Sequence, residues 1–461
     1  MTGLARRLAA GLVGQGLWRL AVALNPILLV PVQLSHWGID LFGQWITVTA
    51  LASYLYYVNL GLVATATSDL IMAVAANDSA RARRSFQMSC NLALIVLPAI
   101  LAVAVIALTA LPLARWFNLE GIGDGALAVI FAFASAQICF ETTRGLMAAV
   151  LYATGRYGFA YTIATAIKLI ELLAVVSAIA LRGAQPVHVA GLTAVAALID
   201  LVVVTLFARR LAPWARVDFR VLDPGWLREQ FRPGLGFSGY NLATQGVMVQ
   251  GPRLVLGTLL GGPAVAIYAV YATAMRLVDQ LFQIVMAPAG VEISHAAGRQ
   301  DVTRLVRLIG FVIQLSLLVF AGVFLTLMTL GPLIFDWWTG HQIVFHHQLM
   351  VVYLVMSGAG LPGRIAAQAL ISVNAMRRIA IAALLAATAA VAFGAALVPA
   401  VGLVAVLIGG IAGELAMSIL LWRALQSWLA LPLRQVMIEA TDFGGSLMRL
   451  RRQAATVLGR R

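Results

Sequence analysis

The chain has 461 residues, 62% of them hydrophobic and 11% charged. Soluble domains run at roughly 45–50% apolar, so a water-soluble protein is excluded. The formal charge of +14 would suit a nucleic-acid binder if the cations shared one face. They fall instead in short loops between apolar runs, where they report membrane topology, and no nucleic-acid partner is expected.

Met1 to Ala10 carries Arg6 and Arg7 ahead of a long apolar run without a small-residue cleavage site, which reads as an uncleaved first span. Along the chain, spans are predicted at about 8–34, 41–64, 86–113, 126–153, 158–181, 187–208, 234–260, 264–291, 305–331, 348–374, 379–400 and 402–428. Each is long enough to cross a hydrocarbon core about 30 Å thick as a helix. Lipid satisfies no open backbone group, and a closed barrel would alternate in segments of about 10 residues, so continuous runs of this kind must be helical. Cys90 and Cys139 lie inside such runs and pack as small hydrophobes.

With the N-terminus in the cytoplasm, the inside segments hold Arg81, Arg83, Arg84, Arg156, Arg209, Arg210, Arg216, Arg220, Arg228, Arg232, Arg299, Arg304, Arg307, Arg377 and Arg378, whereas the outside loops hold Arg115 and Arg182. The bias alternates through all the spans and places both termini in the cytoplasm. Trp37, Trp116, Trp214, Trp226, Trp337, Trp338 and Trp428 fall near the span ends, as interfacial anchors do.

The longest inside connection, 209–233, contains Ala212-Pro213-Trp214 and Leu222-Asp223-Pro224-Gly225 and reads as a cytoplasmic interlobe linker. It separates an N-terminal six-helix lobe, 1–208, from a C-terminal one, 234–428, and a basic tail at 429–461 lies on the anionic inner leaflet. The halves repeat. Gly11 and Gly16 match Gly234 and Gly239; Ala75-Ala76-Asn77-Asp78 with Arg83 matches Ala296-Ala297-Gly298-Arg299 with Arg304; Arg144 matches Arg364; Asp200 and Arg209 match Glu414 and Arg423. Six spans separate each pair, so the repeat is parallel, a build in which cargo sites lie between repeats. The fold class is thus an all-α integral membrane protein of about 12 transmembrane helices in two lobes.

Ionisable residues within the spans are Arg19, Glu141, Arg144, Lys168, Glu171, Asp200, Arg253, Arg276, Asp279, Arg364 and Glu414. Each costs about 2.5–3.5 kcal/mol at mid-bilayer on the most lenient scale, so each must face protein or water. Glu141 with Arg144, Lys168 with Glu171, and Arg276 with Asp279 are spaced to neutralise themselves along one helix face. Arg19, Arg253 and Arg364 have no acid one turn away and need an interhelical acid, an aqueous cavity or an anionic ligand. Gly251-Pro252 precedes Arg253, and Gly358-Ala359-Gly360-Leu361-Pro362-Gly363 precedes Arg364, contexts expected to break a helix beside a cation. Guanidinium suits phosphate oxygens. Asp200 and Glu414 are candidates for ion coupling, with pairing to arginines as the alternative. His341, His346 and His347 with Asp336 share one outside loop without a metal-ligand spacing, so no metal or other cofactor is expected. No phosphate loop or hydrolase motif occurs.

Trp37-Gly38-Ile39-Asp40-Leu41-Phe42-Gly43-Gln44-Trp45, then Asn59-Leu60-Gly61-Leu62, then Asn77-Asp78 before Arg81, Arg83 and Arg84, resembles the bacterial polysaccharide flippases. Leu260-Gly261-Gly262 leading to Tyr268, and Met286-Ala287-Pro288 leading to Ala296, repeat the pattern in the second half. These are features of the multidrug/oligosaccharidyl-lipid/polysaccharide (MOP) superfamily, within it the polysaccharide transporters and O-antigen flippases. The resemblance implies translocation of an undecaprenyl-pyrophosphate-linked oligosaccharide by alternating access through a cationic cavity, with Arg144 and Arg364 leading and Arg19, Arg253 and Arg276 next. Its implied partners are the lipid-linked oligosaccharide, membrane lipid and other polysaccharide-assembly proteins. The alternatives are an ion-coupled small-molecule exporter or a peptidoglycan-precursor flippase of the same superfamily. A polysaccharide polymerase is disfavoured because the longest outside loop, about Gly331 to His347, is too small for sugar chemistry, so an enzyme is not expected.

Overall fold

The structure, a computed structural model, describes residues 2–57, 62–215, 217–218, 238–298, 301–372, 379–429 and 433–442. Outside the described residues lie Asn59 to Gly61, Arg216, Arg220 to Gly234 with most of the linker, Arg299, Arg377, Arg378 and the tail from 443 onward.

Helix follows helix from the first described residue, and no strand occurs among the described residues. The elements are α1 (Thr2–Tyr56), α2 (Leu62–Ala75), α3 (Ser79–Thr109), the short α4 (Leu113–Trp116), α5 (Asp124–Ala153), α6 (Tyr157–Arg182), α7 (Pro186–Leu211), α8 (242–259), α9 (Gly262–Gly298), α10 (Val302–Thr339), α11 (His347–Ser372), α12 (Ala380–Val401), α13 (Val404–Leu429) and α14 (Leu433–Thr441). Among the described residues, ten helices are long and apolar enough to cross a membrane. Large apolar side chains stand exposed along them, among them Ile106, Leu173, Leu318 and Ile381, a surface that only lipid covers without penalty.

Two features bring the ten to the expected number. At 55 residues, α1 would be about 80 Å long if straight, more than two hydrocarbon thicknesses. Gly38 breaks it at φ 72°, ψ 174°, a region open in practice only to glycine, and so turns one apolar run into two crossings. The other feature is α8, in which a nine-residue π-helix (Leu242–Gln250) runs into a nine-residue α-helix (Gly251–Leu259). Pro252 lacks an N–H, and the wide turns before it leave carbonyls exposed, one of which, Gly246 O, accepts from Tyr54 Oη at 3.0 Å.

The internal repeat reappears as local structure. Gly38 and Gly261 (φ 80°) make left-handed turns after the first span of each half, at the spacing that relates Gly16 to Gly239. Helix α5 packs on α7, and the matching α11 packs on α13.

The contacts divide the chain into two compact units. Unit 1 comprises Met1–Val270 and Phe335–Ile343; unit 2 comprises Tyr271–Ile334 and Val344–Arg461. Unit 1 therefore takes in α8 and the start of α9. Its arginine-poor loop ends are knitted together: Trp37 Nε1 donates to Ala184 O at 2.9 Å, Trp338 Nε1 to Ile27 O at 3.0 Å, and Asn118 Nδ2 to Gly257 O at 3.2 Å and Thr258 O at 3.1 Å. Gly43 lies so close to the Gly262 carbonyl that a Cβ there would overlap it.

These bonds correct the reading of the tryptophans. Trp37 and Trp338 are buried, and each indole N–H has an acceptor: the Ala184 carbonyl after α6, and within α1 the Ile27 carbonyl, which Pro31 four residues on leaves without a helical donor. Trp116, Trp337 and Trp428 remain exposed, as interfacial anchors do, and Trp214 packs edge-on against Phe86. Cys90 is buried in the apolar core that α2, α3, α5 and α7 share, and both cysteines are free.

Candidate functional site

Helices α5, α6 and α7 bring five charged side chains into unit 1. Arg144 on α5 pairs with Asp200 on α7, Nε to Oδ2 at 3.0 Å, and its Nη2 reaches Ala160 O on α6 at 3.4 Å. Asp200 Oδ1 is buried and has no hydrogen-bond partner among the described residues. Lys168 and Glu171 close on each other at 2.7 Å, as their spacing predicts. Glu141 behaves otherwise: its Oε1 accepts from Gln137 Nε2 one turn back at 2.8 Å, because Arg144 is turned toward Asp200. Three carboxylates thus accompany two cations, a formal surplus of one negative charge.

Unit 2 holds the equivalent set. Arg364 on α11 donates through Nη1 to Asp279 Oδ1 on α9 at 2.9 Å and lies 3.8 Å, Nη2 to Oε1, from Glu414 on α13. Ser357 Oγ stands 3.4 Å from the same Nη1. Gly360 is what allows this: a Cβ there would overlap the Glu414 carboxylate and stand 3.0 Å from Arg364 Nη2. Asp279, expected to pair with Arg276 on its own helix, is engaged across helices, while Arg276 donates to Thr273 Oγ1 at 2.7 Å. The set is also more open, the Asp279 side chain being 43% exposed against 18% for Asp200.

The expected helix break before Arg364 is absent. Helix α11 runs on through Pro362 because Ser418 on α13 replaces the interrupted ladder: its Oγ accepts from Gly363 N at 3.0 Å and donates to Ala359 O at 2.9 Å. Trp422 Nε1 takes up Pro362 O at 2.9 Å. A neighbouring hydroxyl repairs a proline gap in this way inside a membrane. At Arg253 the helix is widened rather than broken, and the buried guanidinium donates to Gln250 Oε1 at 2.6 Å.

The remaining sequence-predicted residues are exposed. Arg19 is exposed on α1 and makes no ion pair among the described residues, and Arg276 is exposed on α9. His341 meets Asp336 at 2.5 Å in an exposed loop. Sequence reasoning missed Asp279 as the partner of Arg364, together with Gln137 and Ser418. The one available signal was that Asp279 is the only acid deep in α9, facing a half whose equivalent of Arg144 had no second partner.

These helices make a multi-pass integral membrane protein whose fold is similar to that of solved MOP-superfamily transporters. The chain is similar to the inward-facing form of a multidrug resistance MATE family transporter of that superfamily, at 19% identity and a TM-score of 0.67 over 95% of this chain and 99% of that one. It is also similar to an outward-facing form of such a transporter, at 18% identity and a TM-score of 0.57 over 93% of this chain and 94% of the other. A third similar structure is a MOP superfamily transporter from Pyrococcus furiosus described as having a binding pocket of reverse polarity that suggests a different function (17% identity, TM-score 0.57, 93% and 94% covered). No protein-family model matches the chain, and no curated protein sequence does.

Proposed function

We propose that this chain is an ion-coupled exporter of small molecules, cationic or amphipathic, that works by alternating access. The supporting observation is that the two leading arginines expected to bind pyrophosphate are already matched by protein carboxylates: Arg144 by Asp200, and Arg364 by Asp279 and Glu414. A cargo phosphate would have to displace a carboxylate held at 2.9–3.0 Å, whereas a proton or sodium ion finds an uncommitted buried oxygen at Asp200 Oδ1 and an organic cation meets the more exposed Asp279. Likeness to multidrug transporters agrees with this reading. The energetics are workable: exporting one positive charge against 100 mV costs about 2.3 kcal/mol, and one inward-moving proton returns the same amount.

A second reading, translocation of a lipid-linked oligosaccharide, is favoured by Arg19, an exposed guanidinium without an ion pair among the described residues. Inside-out membrane vesicles separate the two. With a pH or sodium gradient imposed, ethidium accumulation that depends on the chain and disappears in Asp200→Asn and Glu414→Gln supports the exporter. Absent ethidium transport, combined with loss of externally labelled lipid-linked sugar when the chain is depleted, overturns it in favour of the oligosaccharide.

A further inference from the structure

Helix α14 spans nine residues, Leu433–Thr441, about 13 Å of helix and far too short to cross a bilayer. One face of it is seated. Val436 and Ala440 are buried, and Gln314 Nε2 on α10 donates at 2.7 Å to Glu439 O, one of the carbonyls that a helix C-terminus leaves without an intrahelical partner. Gly310, one turn earlier on α10, forms the notch: a Cβ there would stand 2.7 Å from Glu439 Cβ and 3.2 Å from Ala440 N.

The opposite face carries Met437 and Ile438, 59% and 57% exposed. Its level in the membrane follows from its neighbours. Helix α13 is a crossing that ends on exposed Trp428 only a few residues before α14 begins, and α10 is a crossing whose third and fourth turns, just past Arg304 and Arg307, hold the seat. Arg307, Arg423 and Arg434 are exposed at this same end, and the sequence continues with Arg449, Arg451 and Arg452. Exposed apolar side chains on a short helix that follows one span and is seated on another, with exposed Arg307, Arg423 and Arg434 on the same three helices, match the boundary between acyl chains and anionic headgroups.

We infer that α14 is an in-plane lipid-binding helix, clipped to α10 at Gly310 and Gln314, with Met437 and Ile438 in the acyl boundary of an anionic leaflet and Arg434 at its headgroups. The inference rests on the membrane fold and is independent of the cargo. The experiment uses the full chain with Cys90→Ala, Cys139→Ala and Ile438→Cys, labelled with the environment-sensitive dye NBD and reconstituted in phosphatidylcholine liposomes with and without phosphatidylglycerol. A blue-shifted emission, quenched by nitroxides near the lipid headgroup and more so with phosphatidylglycerol, is expected. Gly310→Leu should return the label to water. Arg434→Glu, a surface change that leaves the seat intact, should remove the phosphatidylglycerol dependence alone. Water-like emission in both liposomes overturns the proposal, as does protection that follows protein density instead of lipid composition, which would assign the face to a second copy of the chain.

Discussion

Arg144 and Asp200 form an ion pair in a poorly hydrated interior. Their side chains are 17% and 18% exposed, so removing one charge strands the other where hydration is poor. Breaking a buried pair costs about 3–5 kcal/mol, and removing both partners costs much less. Partial exposure puts this pair toward the lower end of that range. Asp200→Asn should therefore lower the thermal unfolding midpoint in detergent, and Arg144→Gln in the same chain should recover most of the loss. If Asp200 only neutralises Arg144, the double variant regains gradient-driven ethidium transport along with its stability. If Asp200 Oδ1 takes the coupling ion, stability returns and transport does not. In unit 2 the two carboxylates are unequal, Asp279 at 2.9 Å and Glu414 at 3.8 Å from Arg364. Asp279→Asn should accordingly destabilise more than Glu414→Gln in the same unfolding measurement.

Among the elements, the contrast between Gly38 and Gly43 shows two different demands on glycine. Gly38 needs its backbone freedom but has open space around it, so Gly38→Ala strains the turn by about 1–3 kcal/mol. Gly43 is helical, but a Cβ there meets the backbone of Gly262, an obstacle that no side-chain rotation relieves. Gly43→Leu should thus part α1 from the start of α9 while leaving the fold of each helix intact. Limited proteolysis or thiol labelling of Asn118→Cys, in a chain without the native cysteines, would read this as faster modification. Unchanged labelling would mean that the contact holds nothing closed. Neither demand shows in composition. What the sequence did make legible were features with long periods or strong penalties: apolar runs, the arginine bias of the loops, and the repeat that aligns Arg144 with Arg364 and Asp200 with Glu414. The pairing of α5 with α7 and of α11 with α13 follows that alignment. The Arg364–Asp279 bond was not legible, because spacing along α9 offered Arg276 as a nearer partner and nothing in one dimension reveals which helix face turns to α11. Likewise, Pro362 reads as a break until Ser418, on another helix, is seen to bridge the gap.

For the molecule as a whole, any transport by alternating access requires the closed rim on the arginine-poor face of unit 1 to open. That rim is held by few and specific links: Trp338 to Ile27, Asn118 to Gly257 and Thr258, and the Gly43 to Gly262 approach. Each hydrogen bond among them contributes a net of only about 0.5–1.5 kcal/mol. A covalent bond in their place tests whether the rim moves during turnover. In a chain with Cys90 and Cys139 replaced, Asn118→Cys with Thr258→Cys should form a disulfide on mild oxidation, because the Asn118 amide already reaches the Thr258 carbonyl at 3.1 Å and the two segments are neighbours. Ethidium transport in inside-out vesicles should stop on oxidation and return on adding dithiothreitol, with each single-cysteine chain unaffected by either treatment. Full transport in the cross-linked chain would mean that the rim stays shut through the cycle and that cargo leaves elsewhere, which would remove α1 and the start of α9 from the moving parts.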